Sequence, residues 1–562
     1  MNVRLFFSVL SLFVVTALSA QTNVAYQDSQ VRFSVVTEGV IRLEWHPEGQ
    51  FTDLASFVAS EREYPEVDYK VRKRGKNVEI TTSKMILTYK MNSGKFVADN
   101  LTIKAADGFF TWKPGMKQKE NLKGTFRTLD GLEGDLQTQT WVQDMKQGEH
   151  RQFEDGVLAK DGWTLIDESD NLLLDDSDWA WVKERPAGEC QDWYFMAYGH
   201  DYKAALKDFT VFAGKMPLPP RFTFGYWWSR YWAYSDKELR SLVDMFDTYD
   251  IPLDVLVVDM DWHYTDEGRG GWTGWTWNKS LFPNPATLLN WMHTHNTRTA
   301  LNLHPADGIG SSDENFSKIR NDMGLDASAI TIPWQLEDST FYRTFFKNLM
   351  RVREKQGVDF WWIDWQQDLT SSYIPGLGQT FWLNHVFYND MKLNRTDRRP
   401  VIFHRWGGMG SHRYPIGFSG DTFATFGTLQ FESYFTATAA NVCFGYWGHD
   451  GGGYLQPNEI STDPELVLRW MQFCVFQPIF RTHGSSQSSC ERRVWKFHNF
   501  DLQRDAFQLR YTLVPYIYNA ARQAYDTGVS ICRPLYYEWP EENKAYTVED
   551  EYLFGDDILV SP

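Results

Sequence analysis

At 562 residues the chain has room for three or four domains of about 150 residues, or fewer if one is an α/β barrel, which takes about 250. A formal net charge of −17 excludes nucleic acid and anionic membrane surfaces as natural partners, since both select basic patches, and favours a neutral one. The five cysteines (Cys190, Cys443, Cys474, Cys490 and Cys532) are widely spaced without a CxxC pair, which argues against a disulfide scaffold or a zinc site and for buried thiols.

Residues 1–20 read as a secretory signal peptide. Arg4 is followed by an apolar run from Leu5 to Leu18 and a small-residue exit at Ser19 and Ala20, so a secreted or periplasmic location is expected. The run is shorter than the roughly 20 apolar residues of a bilayer span, and no later stretch is long and apolar enough, so no membrane insertion is expected. From residue 21 to about 214, short alternating runs such as VRFSVVTEGVIRLEW and NVEITTSKMILTYKM are broken by Gly, Asp and Asn. Period-two alternation at this spacing predicts an N-terminal β-sandwich. The proline-rich KMPLPPRF, Lys215 to Phe222, marks its end.

Between residues 215 and 528 short apolar strands alternate with longer helical or loop stretches, the mark of a parallel βα architecture. Eight strands are predicted: 222–228, 253–261, 298–304, 359–364, 400–406, 416–421, 442–450 and 475–483. Between the first two, Leu239, Leu242, Val243 and Phe246 share one helical face, and a later helix stops at Gly357. The expected fold class is therefore α/β, a (β/α)8 TIM barrel preceded by a β-sandwich. A long helix from about Leu502 to Tyr525 follows. Residues 529–562 return to a strand pattern that reads as the start of a C-terminal β domain cut short, with an unpaired edge. Seven tryptophans fall between Trp227 and Trp277, as core packing or as platforms for stacking sugars.

Barrel enzymes carry reacting groups at the C-terminal ends of their strands. Those ends here hold Asp259 and Asp261, His304, Asp364, Arg405, Asp421, Asp450, then Arg481 and His483. One such aspartate alone is as well explained by a helix cap or a turn. Charged residues at seven of eight strand ends, with no reactive cysteine or phosphate loop, point to acid/base chemistry on a polyhydroxylated ligand. The chain has no HExxH helix and no DxDxDG loop, so neither a metal nor a cofactor is expected. Glycoside hydrolysis fits such an array, because it needs two carboxyl groups flanking the scissile bond.

The motifs themselves resemble glycoside hydrolase family 31. WWIDWQQD is similar to that family's nucleophile strand and RYPIGFSGDT to its acid/base segment, with HRW sixteen residues before Asp421 like its substrate-binding arginine. VVDMDWH, GHDGGGY, FRTHG and FGDDILVSP resemble the second-strand aspartates, the seventh-strand turn, the eighth-strand histidine and the opening of the small β domain. The likeness runs from about Val31 to the last residue. It implies Asp364 as nucleophile, Asp421 as general acid and then base, and Asp259, Arg405 and His483 as clamps on the terminal sugar. Trp362 and Tyr454 would wall the pocket, Asp450 would brace it or cap the glycine turn, and the sandwich would be of the galactose-mutarotase-like kind. The resemblance implies a retaining, exo-acting α-glycosidase working on an oligosaccharide or glycan, α-glucosidase first. Family α-glucosidases carry Met-Asn-Glu after the nucleophile where this chain has Trp365, Gln366 and Gln367, which leaves α-galactosidase and α-N-acetylgalactosaminidase open. From another class, an inactive barrel that only binds carbohydrate is the alternative.

Overall fold

The computed structural model describes residues 23–138, 151–177, 179–266, 271–364, 369–457 and 461–562. The expected leader and the Trp365-Gln366-Gln367 departure lie outside them.

The N-terminal region is two five-stranded antiparallel sheets. One runs in the order Val24–Gln27, Val31–Thr37, Val40–Trp45, Gln191–Ala197, Trp163–Asp167, and the other takes Lys70–Arg74, Asn77–Thr81, Met85–Lys90, Leu101–Ala105 and Thr111–Trp112 in chain order. Alternation decides the facing: Met85, Leu87 and Tyr89 are buried while Ile86 and Thr88 are half-buried. Phe33, Leu43 and Phe195 of the first sheet meet Ile80, Leu87 and Ile103 of the second in one apolar cluster. The polar face of the first sheet is buried too. There Arg32 pairs with Glu44 at 2.7 Å and Arg42 with Asp192 at 2.8 Å, and residues 51–62 cross over them, supplying the Thr52 carbonyl to Arg42 and the Asp53 carboxylate to Arg32. Paired this way, the charges tolerate removal from water. The crossing segment also docks the sandwich on the barrel, Phe57 stacking on Phe381 of the helix Gln379–Asn394 at 4.6 Å.

The barrel is a parallel sheet of Tyr226–Trp228, Val255–Val258, Arg298–Leu303, Phe360–Ile363 and Phe403–His404, with Phe480–Thr482 beside the first strand. Single parallel bridges complete the ring, His404 to Gly417, Gly417 to Trp447, and Gly451 to Thr482, so eight positions close a TIM barrel. Several strands are shorter than the apolar runs suggest. The first loses its beginning to a 3-10 turn, Arg221–Phe224, seeded by Pro220, whose carbonyl accepts from the Thr223 hydroxyl at 2.8 Å. Positions six and seven shrink to bridges. Gly420 is left-handed there, a 3-10 turn occupies Ala439–Val442, and Cys443 has φ 57°. The eighth yields Val475 to the helix Pro464–Val475.

The predicted helix after the first strand is Asp236–Thr248, started by a capping box between Ser235 and Glu238 and burying Leu239, Leu242, Val243 and Phe246. The helical run Ser339–Phe345, Phe346–Met350 and Arg351–Gln356 stops at Gly357, where φ is 122°. Of the seven tryptophans, Trp227, Trp228, Trp262, Trp275 and Trp277 are packed in the core, whereas Trp232 and Trp272 are exposed. The barrel interior is mainly aromatic: Trp227, Phe360, Trp362, Phe403 and Phe418 touch with centroids 5.1–5.6 Å apart. The helix Phe500–Thr527 leads to a three-stranded antiparallel sheet, Cys532–Arg533, Tyr552–Phe554 and Ile558–Val560. All five cysteines are free thiols, four of them buried and Cys190 half-buried. Among the described residues no helix is long and apolar enough to cross a membrane.

Candidate active site

Asp364 directly follows the fourth strand, its amide still bonded to the Leu303 carbonyl at 2.9 Å, so the sheet itself fixes where the side chain starts. Arg405, one residue past the fifth strand, places Nε at 3.1 Å and Nη2 at 3.0 Å from Asp364 Oδ1. On the other side His304 Nε2 lies 3.4 Å from Asp364 Oδ2. A carboxylate held between a guanidinium and an imidazole, in a site where Arg405 is only 2% exposed, is fixed in its orientation.

Asp421 closes the sixth barrel position and keeps part of its surface open. Its pKa is pushed well above the ordinary carboxylate range, first by burial, then by the charges of Asp130, Asp364 and Asp450, with Arg405 pulling the other way. The site therefore sets a carboxyl group ion-paired with a guanidinium beside one whose proton affinity is raised, the arrangement that separates a nucleophile or base from a proton donor.

Asp259 and His483 form a second pair, His483 Nε2 lying 3.5 Å from Asp259 Oδ2. Burial raises Asp259 to about 7 and pulls His483 well below its usual value, so the contact joins a neutral ring to a carboxyl group. The ring is oriented by Ser229, whose Oγ is 2.7 Å from Nδ1. Asp259 does double duty: its Oδ1 accepts from the Met260 amide at 2.7 Å and caps the short turn Met260–Trp262, the role a lone strand-end aspartate usually has.

Trp362 meets His483 edge-on at 5.2 Å, and Tyr454, partly exposed, stacks on the same ring at 5.3 Å. Asp450 is fully buried and ion-paired with Arg481, whose guanidinium lies 4.6 Å over Trp362. Burial lifts Asp450 to about 6, with Arg481 opposing. It acts on the site from within the wall, by charge. The glycine turn after it is held by Arg492, which donates to the carbonyls of Gly452 and Gly453. Asp261 is half-buried on the same turn as Asp259 and accepts from the Thr265 hydroxyl at 3.1 Å.

The sequence motifs give no sign of the contribution from the N-terminal region. Residues 128–132 run along the sixth barrel position: the Leu129 amide bonds Ser419 O at 2.6 Å, Gly131 bonds Asp421 O at 2.9 Å, and Phe423 bonds Leu132 O at 2.9 Å. Asp130 Oδ1 accepts from Arg405 Nη1 at 3.0 Å and from the Asp421 amide at 2.7 Å, while Thr128 Oγ1 accepts from Arg405 Nη1 at 2.6 Å. TLDG lies in a stretch with no strand or helix pattern of its own, almost 300 residues from its partners, so nothing local marks it. Trp272 is also at the mouth, exposed, with its ring 5.5 Å from His304.

Residues 216–520 match the profile of the glycosyl hydrolases family 31 TIM-barrel domain, and 528–562 that of the family's C-terminal domain. An α-xylosidase from Saccharolobus solfataricus is 28% identical over 397 residues, 66% of this chain and 52% of that protein. The human neutral α-glucosidase C is 27% identical over 408 residues, 66% of this chain and 43% of that protein. The chain thus spans about half the length of the curated relatives it matches. A family 31 α-xylosidase from a soil metagenome, solved with xylose, superposes with a TM-score of 0.70 at 18% identity, over 96% of this chain and 90% of that one. With the barrel profile laid over more than half of the sequence and over the strands that carry Asp259, Asp364, Arg405 and Asp421, the chain belongs to glycosyl hydrolase family 31.

Proposed function

We propose that the protein is a retaining, exo-acting α-glycosidase that releases terminal α-linked sugars from oligosaccharides or glycans. The observation that carries this reading is the opposed setting of two carboxyl groups, Asp364 clamped by Arg405 and Asp421 held protonated by burial and neighbouring negative charge. In the first half-reaction a lone pair of the Asp364 carboxylate forms a bond to the anomeric carbon as the glycosidic C–O bond breaks, and Asp421 gives its proton to the leaving oxygen. In the second, Asp421 takes a proton from water, whose oxygen attacks the same carbon and returns Asp364 to its free carboxylate. Two inversions leave the α configuration unchanged.

Asp259 and His483 are the clamps on the sugar in the pocket, and Trp362 and Tyr454 its walls. The relatives named for α-xylosidase and α-glucosidase activity support a glucosyl or xylosyl substrate, which differ only in the C6 hydroxymethyl group. The basic, apolar, small-residue order of residues 1–20 supports export.

A panel of nitrophenyl α-glycosides with wild type and Asp364→Ala tests the reading. Turnover of the α-glucoside or α-xyloside that vanishes in Asp364→Ala is expected; sugar binding without turnover of any member would leave a carbohydrate-binding barrel instead.

A further inference from the structure

We propose that Asp130, contributed by the N-terminal β-sandwich region, is a positioning residue of the catalytic barrel, holding the Arg405 guanidinium and the Asp421 main chain in register. This rests on the reading of Asp421 as proton donor. The argument begins with geometry. Asp130 Oδ1 is shared by the two donors, Arg405 Nη1 at 3.0 Å and the Asp421 amide at 2.7 Å. Arg405 in turn holds Asp364. One fully buried carboxylate therefore ties the donor of one half of the site to the clamp of the other.

The contact is built in. Residues 129–132 pair with 419–423 through three backbone hydrogen bonds, which fixes Asp130 as a strand fixes its side chains. Gly420, at φ 107°, has no room for a Cβ: the space is filled by Asp130 Oδ1, Thr128 Oγ1 and Arg405 Nη1. A glycine beside the proton donor is what lets the inserted loop come this close.

The charge has a consequence besides placement. The groups facing Asp421 are Asp130 from the inserted loop, Asp364 and Arg405 from the fourth and fifth strand ends, and Asp450 and Tyr454 from the seventh-position turn. After burial, Asp130 is the leading cause of the raised proton affinity of Asp421, ahead of Asp364. A general acid works only while protonated, so activity falls as pH rises through its pKa. Asp130 thereby extends the working range upward, and the sandwich becomes part of the catalytic unit.

The test is the pH dependence of kcat/KM for full-length Asp130→Asn, which keeps the shape and an acceptor oxygen while removing the charge. The alkaline limb is expected about one pH unit lower than in wild type. A limb that stays in place, whether kcat/KM is unchanged or falls evenly at all pH values, overturns the inference. Should the neutral variant not fold, Asp130→Glu decides the matter, because it keeps the charge but moves it by one methylene. A kcat at least tenfold lower, with the alkaline limb in place, is expected, and an unchanged kcat overturns the inference. Full activity of Asp421→Asn would sink the parent reading itself, and this one with it.

Discussion

Arg405 grips Asp364 through a single carboxylate oxygen, Nε at 3.1 Å and Nη2 at 3.0 Å, leaving Asp364 Oδ2 facing His304. The Nε–H hydrogen bond, set within a close ion pair, orients the carboxylate, and a lysine lacks the planar guanidinium that fixes this geometry. Arg405→Lys is expected to lower kcat/KM by roughly hundredfold, about 2.7 kcal/mol of transition-state stabilisation. The kinetics of a nitrophenyl α-glycoside check this; a loss of less than threefold would mean the guanidinium is not needed.

Asp421 is assigned to protonating the leaving oxygen, a service that good leaving groups do not require. Asp421→Ala is expected to lose at least a thousandfold on an alkyl α-glycoside, yet only about tenfold in the first step on a dinitrophenyl α-glycoside. Pre-steady-state release of dinitrophenol measures that step. Equal losses on both substrates would remove Asp421 from the role.

Asp259 gives a pH-dependent stability. Its folded pKa of about 7 exceeds the ordinary value of 3.8, so the folded state holds the proton more tightly than the unfolded chain does. The cost of burying its charge is absent below about pH 4, grows as pH rises, and is complete above about 7. Asp259→Asn should therefore be more stable than wild type at pH 8, by on the order of 2 kcal/mol, with little difference at pH 4. Thermal melts at both pH values read it out. On the proposed role of Asp259 as a clamp on the sugar, the same substitution should lower kcat/KM tenfold to hundredfold.

Much of this is legible in the sequence. Strand ends mark Asp259, Asp364, Arg405, Asp421 and His483, because an apolar run ending in a charge is how a barrel strand brings a polar side chain to its mouth. What the pattern missed has physical causes. An apolar run reports burial and not pairing, so FTFGYWW reads as one strand although its first half is a turn fixed by Pro220, and the runs at 416–421 and 442–450 join the ring through single bridges at Gly417 and Trp447, the next bridge lying at Gly451 just past the second run. Arg32, Arg42 and Glu44 alternate with apolar residues along their strands, and the alternation does not show that they are buried against one another under residues 51–62. Asp130 lay beyond any local signal, since its meaning comes from Arg405 and Asp421, which only the folded chain brings near it.

The central claim is that Asp364 forms the covalent bond to the sugar, and trapping that bond tests it most directly. The wild-type protein is incubated with a 5-fluoro-α-glycosyl fluoride of the preferred sugar and its peptic peptides are mapped by mass spectrometry. One fluoroglycosyl unit on the peptide that ends the fourth barrel strand, at Asp364, is the predicted result. A label on Asp421, or turnover of the reagent through an inverted product with no adduct at all, would contradict it.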